Sequence, residues 1–130
     1  MSQSLPEAHA QLYAALNEML AGNPAPVLGV WSDGDDVTYA GPFGGYTLGR
    51  AAVVEAFEAA AAMNLDGRLE ATEVHLVEGS DIGYSVCVEH GTDHVIGGEL
   101  VNLTHRATNV FRREADRWRL VHHHTDHSSS

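Results

Sequence analysis

The sequence predicts a single α+β domain in which three helices cover one face of a curved antiparallel sheet. Apolar residues recur at helical spacing in the first half of the chain, which also holds one short strand. Period-two alternation dominates from residue 68 to residue 127. Strands gathered at one end of a chain indicate an α+β fold rather than alternating βαβ units. Three helices against one face of a strongly bent sheet would form a cone.

Length and composition restrict the class of protein. The 130 residues suit one domain, 1–130, with a sizeable core, and 44% of them are hydrophobic. The formal net charge of −11 argues against nucleic acid and membrane surfaces as partners, because both favour a basic face. We see no signal peptide and no window that would span a bilayer. Cys87 is the single cysteine, so no internal disulfide can form, and we expect a reducing, cytoplasmic location.

Three helices are predicted from spacing and end signals. The first begins at Ser4 or at the Leu-Pro step that follows it, and Gly-Asn-Pro at residues 22–24 ends it. A short second helix is predicted over residues 24–31. The third covers residues 49–63, and its alanine-rich face suits close packing on a sheet. The apolar stripe of the first helix contains Leu5, Ala8, Leu12, Ala15, Leu16 and Met19.

Two loops in the first half invite functional interpretations. The acidic residues 33–36 do not match a calcium-binding loop, and we expect a solvated turn. A short strand is predicted over residues 37–40, followed by a glycine-rich segment at residues 41–45. That segment lacks the lysine and helix of a phosphate-binding loop, so its glycines are expected to permit an unusual backbone path. Phe43 at its tip could cap a pocket or plug the core.

Antiparallel strands fill the second half of the chain. Strands are predicted over residues 68–77 and 82–90, with turns at 78–81 and 91–93. Residues 97–127 contain two further long strands, which are separated by a charged turn at residues 113–117. In the strand from residue 82, alternation places Ile82, Tyr84, Val86 and Val88 on one face.

Several segments carry a resemblance to a known family. They are Trp-Ser-Asp at 31–33, Asp-Val-Thr at 36–38, the glycine-rich 41–45, and residues 106–114 and 118–124. Together with the element order, they resemble the nuclear transport factor 2-like (SnoaL-like) superfamily, and the ending also resembles the association domain of calcium/calmodulin-dependent kinase II. The resemblance implies a cystatin-like cone. This superfamily contains isomerases, cyclases, dehydratases and epoxide hydrolases beside domains that only bind or assemble, so it does not transfer an activity.

The resemblance suggests roles for individual positions. Gly41 stands where ketosteroid isomerases of this fold carry an aspartate base, so the usual base is absent. Asn109 matches their oxyanion-binding aspartic acid and could still donate a hydrogen bond. Tyr13 would correspond to their oxyanion tyrosine, although the helix register fits poorly. His123 aligns with the acid/base aspartate of the polyketide cyclases, and a histidine can move a proton near neutral pH.

The kinase association domains offer a second comparison. Their pocket arginines align with Val86, Asn109 and Thr125, none of which is basic. The resemblance therefore disfavours a carboxylate ligand held by an arginine cluster.

Carrying these positions over assigns the two faces of the sheet. The concave face is expected to contain Tyr84, Val86, His105, Asn109, Phe111, Val121, His123 and Thr125, closed by Tyr13 and Tyr39. The convex face would then contain Arg106, Thr108, Val110, Arg112, Trp118, Leu120, His122 and His124. A convex face with this much apolar surface predicts a homodimer packed sheet to sheet. The opposite register would instead aim His122, His124 and Asp126 at the cavity, a plausible metal-binding spacing.

Three functional hypotheses follow. In the first, the cone binds a small, largely apolar molecule without a cofactor or metal, and moves a proton next to a carbonyl with His123 as base and Asn109 as oxyanion donor. Tyr39 and Phe43 would help to form its walls. In the second, the domain is a binding or oligomerisation module, which the glycine at position 41 favours. In the third, the pair His122 and His124 binds a metal.

Overall fold

The α+β architecture predicted from the sequence is confirmed. We describe the fold from a computed structural model, which describes residues 2–128. Within these residues the chain forms three helices and a six-stranded sheet. The helices are α1 (Leu5–Leu20), α2 (Ala25–Val30) and α3 (Arg50–Ala62). The strands are β1 (Thr38–Ala40), β2 (Thr47–Leu48), β3 (Arg68–Glu78), β4 (Ile82–Ile96), β5 (Glu99–Glu114) and β6 (Arg117–His127).

The sheet is mixed rather than purely antiparallel. Its strand order is β2-β1-β6-β5-β4-β3, and the neighbours are antiparallel except β1 and β6, which run parallel. Strand β1 lies far from β6 in sequence, so no hairpin dictates an antiparallel pairing. The parallel pair places Tyr39 beside His123, and this position matters for the site.

Helix α1 begins where the sequence predicts. Ser4 Oγ accepts a hydrogen bond from the Glu7 amide over 3.2 Å, and the Glu7 carboxylate accepts one from the Ser4 amide over 2.9 Å. This capping box satisfies two of the amide groups left without helical partners. The helix then buries its predicted apolar stripe in the core with Leu5, Leu12 and Leu16.

The turn expected at residues 91–93 is instead an irregularity within a longer strand. Strand β4 continues to Ile96, and its pairing with β5 shifts between Gly91 and His94. The chain reverses at Gly97 and Gly98, whose φ angles of +60° and +83° suit a tight hairpin. A bulge therefore accommodates residues 91–93 within the strand, although local turn propensity predicts a loop there.

A second bulge changes the phase of β6. Val110 pairs with His122, whereas the next residue of β5, Phe111, pairs with Leu120. Val121 is the extra residue between these two pairs. An inserted residue shifts side-chain alternation by one position, so the two halves of the strand follow opposite parity.

Because of this bulge, Trp118 and Leu120 lie on the same side of the sheet as His123 and Thr125. Both apolar residues are buried in the core, with exposed fractions of 1% and 0%. The expectation that they belong to the convex dimer face is therefore wrong. His122 and His124 do lie on the convex side, since they pair with the convex residues Val110 and Thr108.

The expectation that Tyr84 and Val86 lie on the concave face is also wrong. Tyr84 and Val86 are 38% and 42% exposed and lie on the convex side, while Ser85, Cys87 and Glu89 are buried on the concave side. Hydrophobic alternation identifies which residues share a face. It does not identify which face the helices cover, and here the polar set points into the cone.

Ion pairs hold the acidic turn at residues 33–36. Asp36 contacts the guanidinium of Arg112, and Asp33 lies 3.8 Å from Arg50 and 4.0 Å from Arg119. The turn is thereby tied to the sheet and to α3, rather than being solvated throughout.

In residues 2–128, no helix combines the length and apolar character needed to cross a membrane.

Candidate active site in the cone

A cavity of about 120 Å³ lies between the helices and the concave face of the sheet. Most of its wall is apolar and comes from α1, α3 and the ends of the strands, as with Leu16, Phe57 and Leu103. The polar residues on its wall are Tyr39, Glu89, His94, His105, His123 and Thr125. The arrangement suits a small, mostly apolar molecule with a few polar atoms.

Phe43 caps the cavity and does not plug the core. Phe43 lines the cavity and is 67% exposed. Met63 also lines the cavity and is 57% exposed, so the two side chains flank the mouth of the cavity. Gly44 and Gly45 follow with φ angles of +94° and +90°, a conformation that favours glycine. The glycine-rich segment therefore supports the cap.

Glu89 is the most unusual group on the cavity wall. Its carboxyl group is almost inaccessible, with 3% of the residue exposed. Tyr13 donates a hydrogen bond to Oε2 over 2.6 Å, and His105 Nδ1 lies 3.9 Å from Oε1. Burial raises the pKa of Glu89 to about 7, and the hydrogen bond from Tyr13 partly opposes that rise. A carboxyl group with this pKa can both accept and donate a proton at neutral pH.

Asn109 joins the two sides of the polar network. Its Nδ2 donates to Tyr13 Oη over 3.2 Å and to Ser85 Oγ over 3.1 Å, while Oδ1 accepts from His123 Nδ1. The residue is 0% exposed and does not contact the cavity. Both amide hydrogens are in use, so none remains for a ligand. This geometry does not fit the predicted oxyanion donor; Asn109 instead positions Tyr13 and His123.

His123 lines the cavity as a neutral ring. It stacks on Tyr39 with ring centroids 5.8 Å apart and an interplanar angle of 7°. Its Nδ1 donates to Asn109, so Nε2 carries the lone pair. Burial, together with smaller effects of the neighbouring histidines 122, 124 and 105, lowers the pKa of His123 to about 3. The ring is therefore a hydrogen-bond acceptor and a weak base.

The remaining polar residues differ in what they can donate. His94 Nδ1 donates to the Asp66 carbonyl over 2.7 Å, which leaves Nε2 as an acceptor. Burial raises the pKa of Tyr39 to about 12, so its phenol stays protonated. Burial lowers the pKa of His105. Thr125 Oγ1 is buried and has no hydrogen-bond partner among the residues described.

The structure brings together some of the predicted pocket residues and separates others. Tyr39, Phe43, His105, His123 and Thr125 line the cavity. Those predicted residues that do not line it are Tyr13 beneath Glu89, Asn109 in the network, Phe111 in the core, Val121 in the bulge, and Tyr84 and Val86 on the opposite face.

Sequence reasoning missed Glu89 and His94. Glu89 follows the apolar run of β4 and shares its parity with Ser85 and Cys87. The signal in the sequence is a single acid at the end of an apolar strand. It is overlooked when Tyr84 and Val86 are placed on the concave face, because Glu89 then points away from the cavity.

The pair His122 and His124 lies outside the cavity. His122 Nδ1 hydrogen-bonds to Thr38 Oγ1 over 2.6 Å, and the two histidine rings are 6.3 Å apart. Across residues 2–128 no group of three potential ligands could hold a metal ion. The structure gives the metal hypothesis no support.

A curved sheet wrapped around a cavity under three helices defines the class of cystatin-like α+β cones. The chain belongs to the SnoaL-like domain family, whose model matches residues 8–126.

Solved structures agree on the fold. A protein from Thiobacillus denitrificans, provisionally named a calcium/calmodulin-dependent protein kinase type II association domain, is 27% identical, with a TM-score of 0.82 over 99% of this chain and 98% of its own. A protein from Streptomyces avermitilis, provisionally named a dehydratase of the NTF2-like family, is 23% identical, with a TM-score of 0.83 and coverage of 97% and 95%. A ketosteroid isomerase-like protein from Erwinia carotovora atroseptica is 18% identical, with a TM-score of 0.74 and full coverage of both chains. No curated protein matches the chain significantly.

Proposed function

We propose that this domain is an enzyme that moves a proton next to the carbonyl group of a small, largely apolar molecule. The observation that carries the proposal is Glu89, a buried carboxyl group on the cavity wall with a pKa near neutrality. Perturbed acids in apolar clefts are a recurring feature of catalytic sites. The names of the Streptomyces and Erwinia relatives, a dehydratase and a ketosteroid isomerase-like protein, are compatible with this chemistry.

The reaction follows from the roles of the two oxygens of Glu89. Oε2 is held by Tyr13, which leaves Oε1 for the substrate. The carboxylate removes a proton from the carbon beside the carbonyl, and the electrons of the broken C–H bond form a carbon–carbon double bond. The carbonyl π electrons move onto oxygen, giving an enolate. The protonated Glu89 then returns the proton to carbon, at the same or a conjugated position, and the carbonyl re-forms.

Glu89 replaces His123 as the proposed base. A general base works best when its pKa lies near the working pH, which Glu89 satisfies and His123, with a pKa of about 3, does not. His123 instead supplies an acceptor at Nε2 and a flat wall against Tyr39. Tyr13 and Asn109 are positioning residues, since neither contacts the cavity.

Deuterium exchange tests the proposal without knowledge of the natural substrate. Cyclopentanone and 2-cyclohexenone would be incubated with the protein in D₂O, and the loss of the proton signals beside the carbonyl followed by NMR. Glu89→Gln should reduce the catalysed exchange by roughly a hundredfold or more. The exposed Glu58→Gln on α3 is the matched control. If exchange persists in Glu89→Gln and is lost in His123→Ala, His123 is the base. If wild type exchanges no faster than buffer, the proposal that the domain is an enzyme is contradicted.

The second candidate is a binding or assembly module without chemistry. Gly41 in place of an acid favours it, and so does the name of the Thiobacillus relative. Under that proposal the same ketones would bind in the cavity, but their exchange rates would stay at the buffer value.

We also propose that two copies pair through their convex faces, in a reducing, cytoplasmic location. The convex face presents half-exposed apolar side chains on neighbouring strands, including Tyr84, Val86 and Val110. The Arg106–Asp126 ion pair beside them would supply a polar margin. Apolar patches with polar margins are typical of protein interfaces.

A further inference from the structure

Thr125 lines the cavity and carries a buried hydroxyl group that is unsatisfied among residues 2–128. Thr125 is 3% exposed and lines the cavity, and its Oγ1 has no hydrogen-bond partner among residues 2–128. Two residues earlier on the same strand, His123 lines the same wall. Burying a hydroxyl without a partner destabilises a protein, and valine would fill the same space without that penalty. An orphaned hydroxyl at this place suits an atom supplied by a ligand.

Apart from His105, whose Nδ1 lies 3.9 Å from Glu89 Oε1, the other polar groups on the wall are poorly suited to donate a hydrogen bond to a ligand carbonyl. The carboxylate of Glu89 is an acceptor, and so are the Nε2 atoms of His94 and His123, whose Nδ1 atoms are already donating. The phenol of Tyr39 is a donor, but its Oη lies against Gly41, so close that a Cβ there would overlap it. Thr125 Oγ1 is the buried hydroxyl oxygen of a cavity-lining residue that has no hydrogen-bond partner among residues 2–128.

We propose that Thr125 Oγ1 donates the hydrogen bond that recognises the carbonyl oxygen of the ligand, and so selects small ketones and aldehydes over hydrocarbons of the same size. The inference deepens the proposed function and rests on it. Thr125 lies on β6 and Glu89 on β4. The carbonyl oxygen of the ligand and the proton to be removed would therefore contact different parts of the cavity wall. A cavity of roughly 150 Å³ holds benzene. The cavity here is slightly smaller, at about 120 Å³, and is therefore suited to compounds of roughly six non-hydrogen atoms.

A matched pair of ligands and a matched pair of variants test the assignment. Cyclopentanone and cyclopentane differ in the carbonyl oxygen, and NMR titration of wild type gives the affinity of each. Thr125→Val keeps the shape of the side chain and removes its hydroxyl, whereas Thr125→Ser keeps the hydroxyl. We expect Thr125→Val to weaken cyclopentanone binding by roughly tenfold while cyclopentane binding stays within twofold, because a single buried hydrogen bond is lost. Thr125→Ser should retain the preference for the ketone.

Thermal unfolding of the ligand-free proteins supplies a readout that does not depend on binding. Thr125→Val should unfold at a temperature no lower than wild type, since it removes an unsatisfied buried group. A clearly lower unfolding temperature would mean that the hydroxyl serves the fold, and it would overturn the inference.

The binding results separate this inference from the proposed function. If wild type and Thr125→Val bind cyclopentanone equally well while deuterium exchange still depends on Glu89, the role of Thr125 is rejected and the proposed enzyme activity is retained. Failure of wild type to bind the ketone in the cavity would overturn both.

Discussion

The hydroxyl group of Tyr13 donates a hydrogen bond of 2.6 Å to Oε2 of Glu89, across 76 positions of sequence. The contact joins helix α1 to strand β4, and Glu89 also lines the cavity. It stabilises the ionised form of an acid that burial otherwise keeps protonated. The balance of these two effects places the pKa of Glu89 where proton transfer in either direction is possible.

Removing the Tyr13 hydroxyl should shift the pH dependence of exchange. Hydrogen bonds to charged groups contribute roughly 1.5–3 kcal/mol, so Tyr13→Phe should raise the pKa of Glu89 by roughly one to two pH units. The rate of deuterium exchange would then begin to rise at a correspondingly higher pH. Tyr84→Phe, at an exposed tyrosine of the opposite face, is the control. An unchanged pH profile would show that Tyr13 does not tune the pKa of Glu89.

Glu89 should make stability fall as pH rises. Its pKa is about 7 when folded against an ordinary value of 4.5, so between these values the folded state binds more protons than the unfolded state. The neutral acid is accommodated below pH 4.5, and the full penalty for the buried charge, about 3 kcal/mol, is reached above pH 7. Relative to wild type, Glu89→Gln should therefore gain stability across this window. Urea unfolding at several pH values measures the difference, and a flat difference curve would contradict the raised pKa.

His123 contributes in the opposite direction. Its pKa is lowered to about 3, so the unfolded state binds more protons as pH falls below about 6.5. The stabilisation that the neutral ring allows is complete above pH 6.5 and is lost progressively towards pH 3. His123→Asn, which cannot titrate, should reduce the acid sensitivity of unfolding. The exposed His124→Asn is the matched control, and an equal effect of the two substitutions would argue against selective burial of His123.

The two faces of the sheet can be distinguished by stability. Trp118 is 1% exposed, so Trp118→Ala should lower the free energy of unfolding by roughly 3–5 kcal/mol. Val86 is 42% exposed, and Val86→Ala should cost less than about 1 kcal/mol in dilute solution. Denaturant titrations measure both. A large loss at Val86 with little loss at Trp118 would restore the face assignment made from sequence.

The proposed dimer predicts a concentration-dependent mass. Sedimentation of wild type should show a dimer, and Val86→Asp should show a monomer with unchanged circular dichroism, because the substitution buries a charge between two apolar faces. Ala59→Asp, on the exposed side of α3, is the control. A monomeric wild type, or a dimer unaffected by Val86→Asp, would exclude pairing through this face.

The sequence alone determined the local elements and the class of fold. Helix α1 was recognisable because Ser4 and the Leu-Pro step mark its start and its apolar residues follow helical spacing. The alternation in Tyr84 and Val86 correctly placed those two side chains on one face. These features depend on neighbouring residues, which the sequence displays directly.

Only the tertiary structure decided which groups meet at the cavity. The bulge at Val121 depends on the pairing of β5 with β6, and it reverses the alternation of a strand whose sequence looks regular. The burial of Glu89 depends on α1 covering one face of the sheet rather than the other. A pattern of period two is the same for both faces of a strand, so the local sequence does not reveal which face the helices cover. The packing of the helices decides which face is covered, and it buries Glu89 at the wall of the cavity.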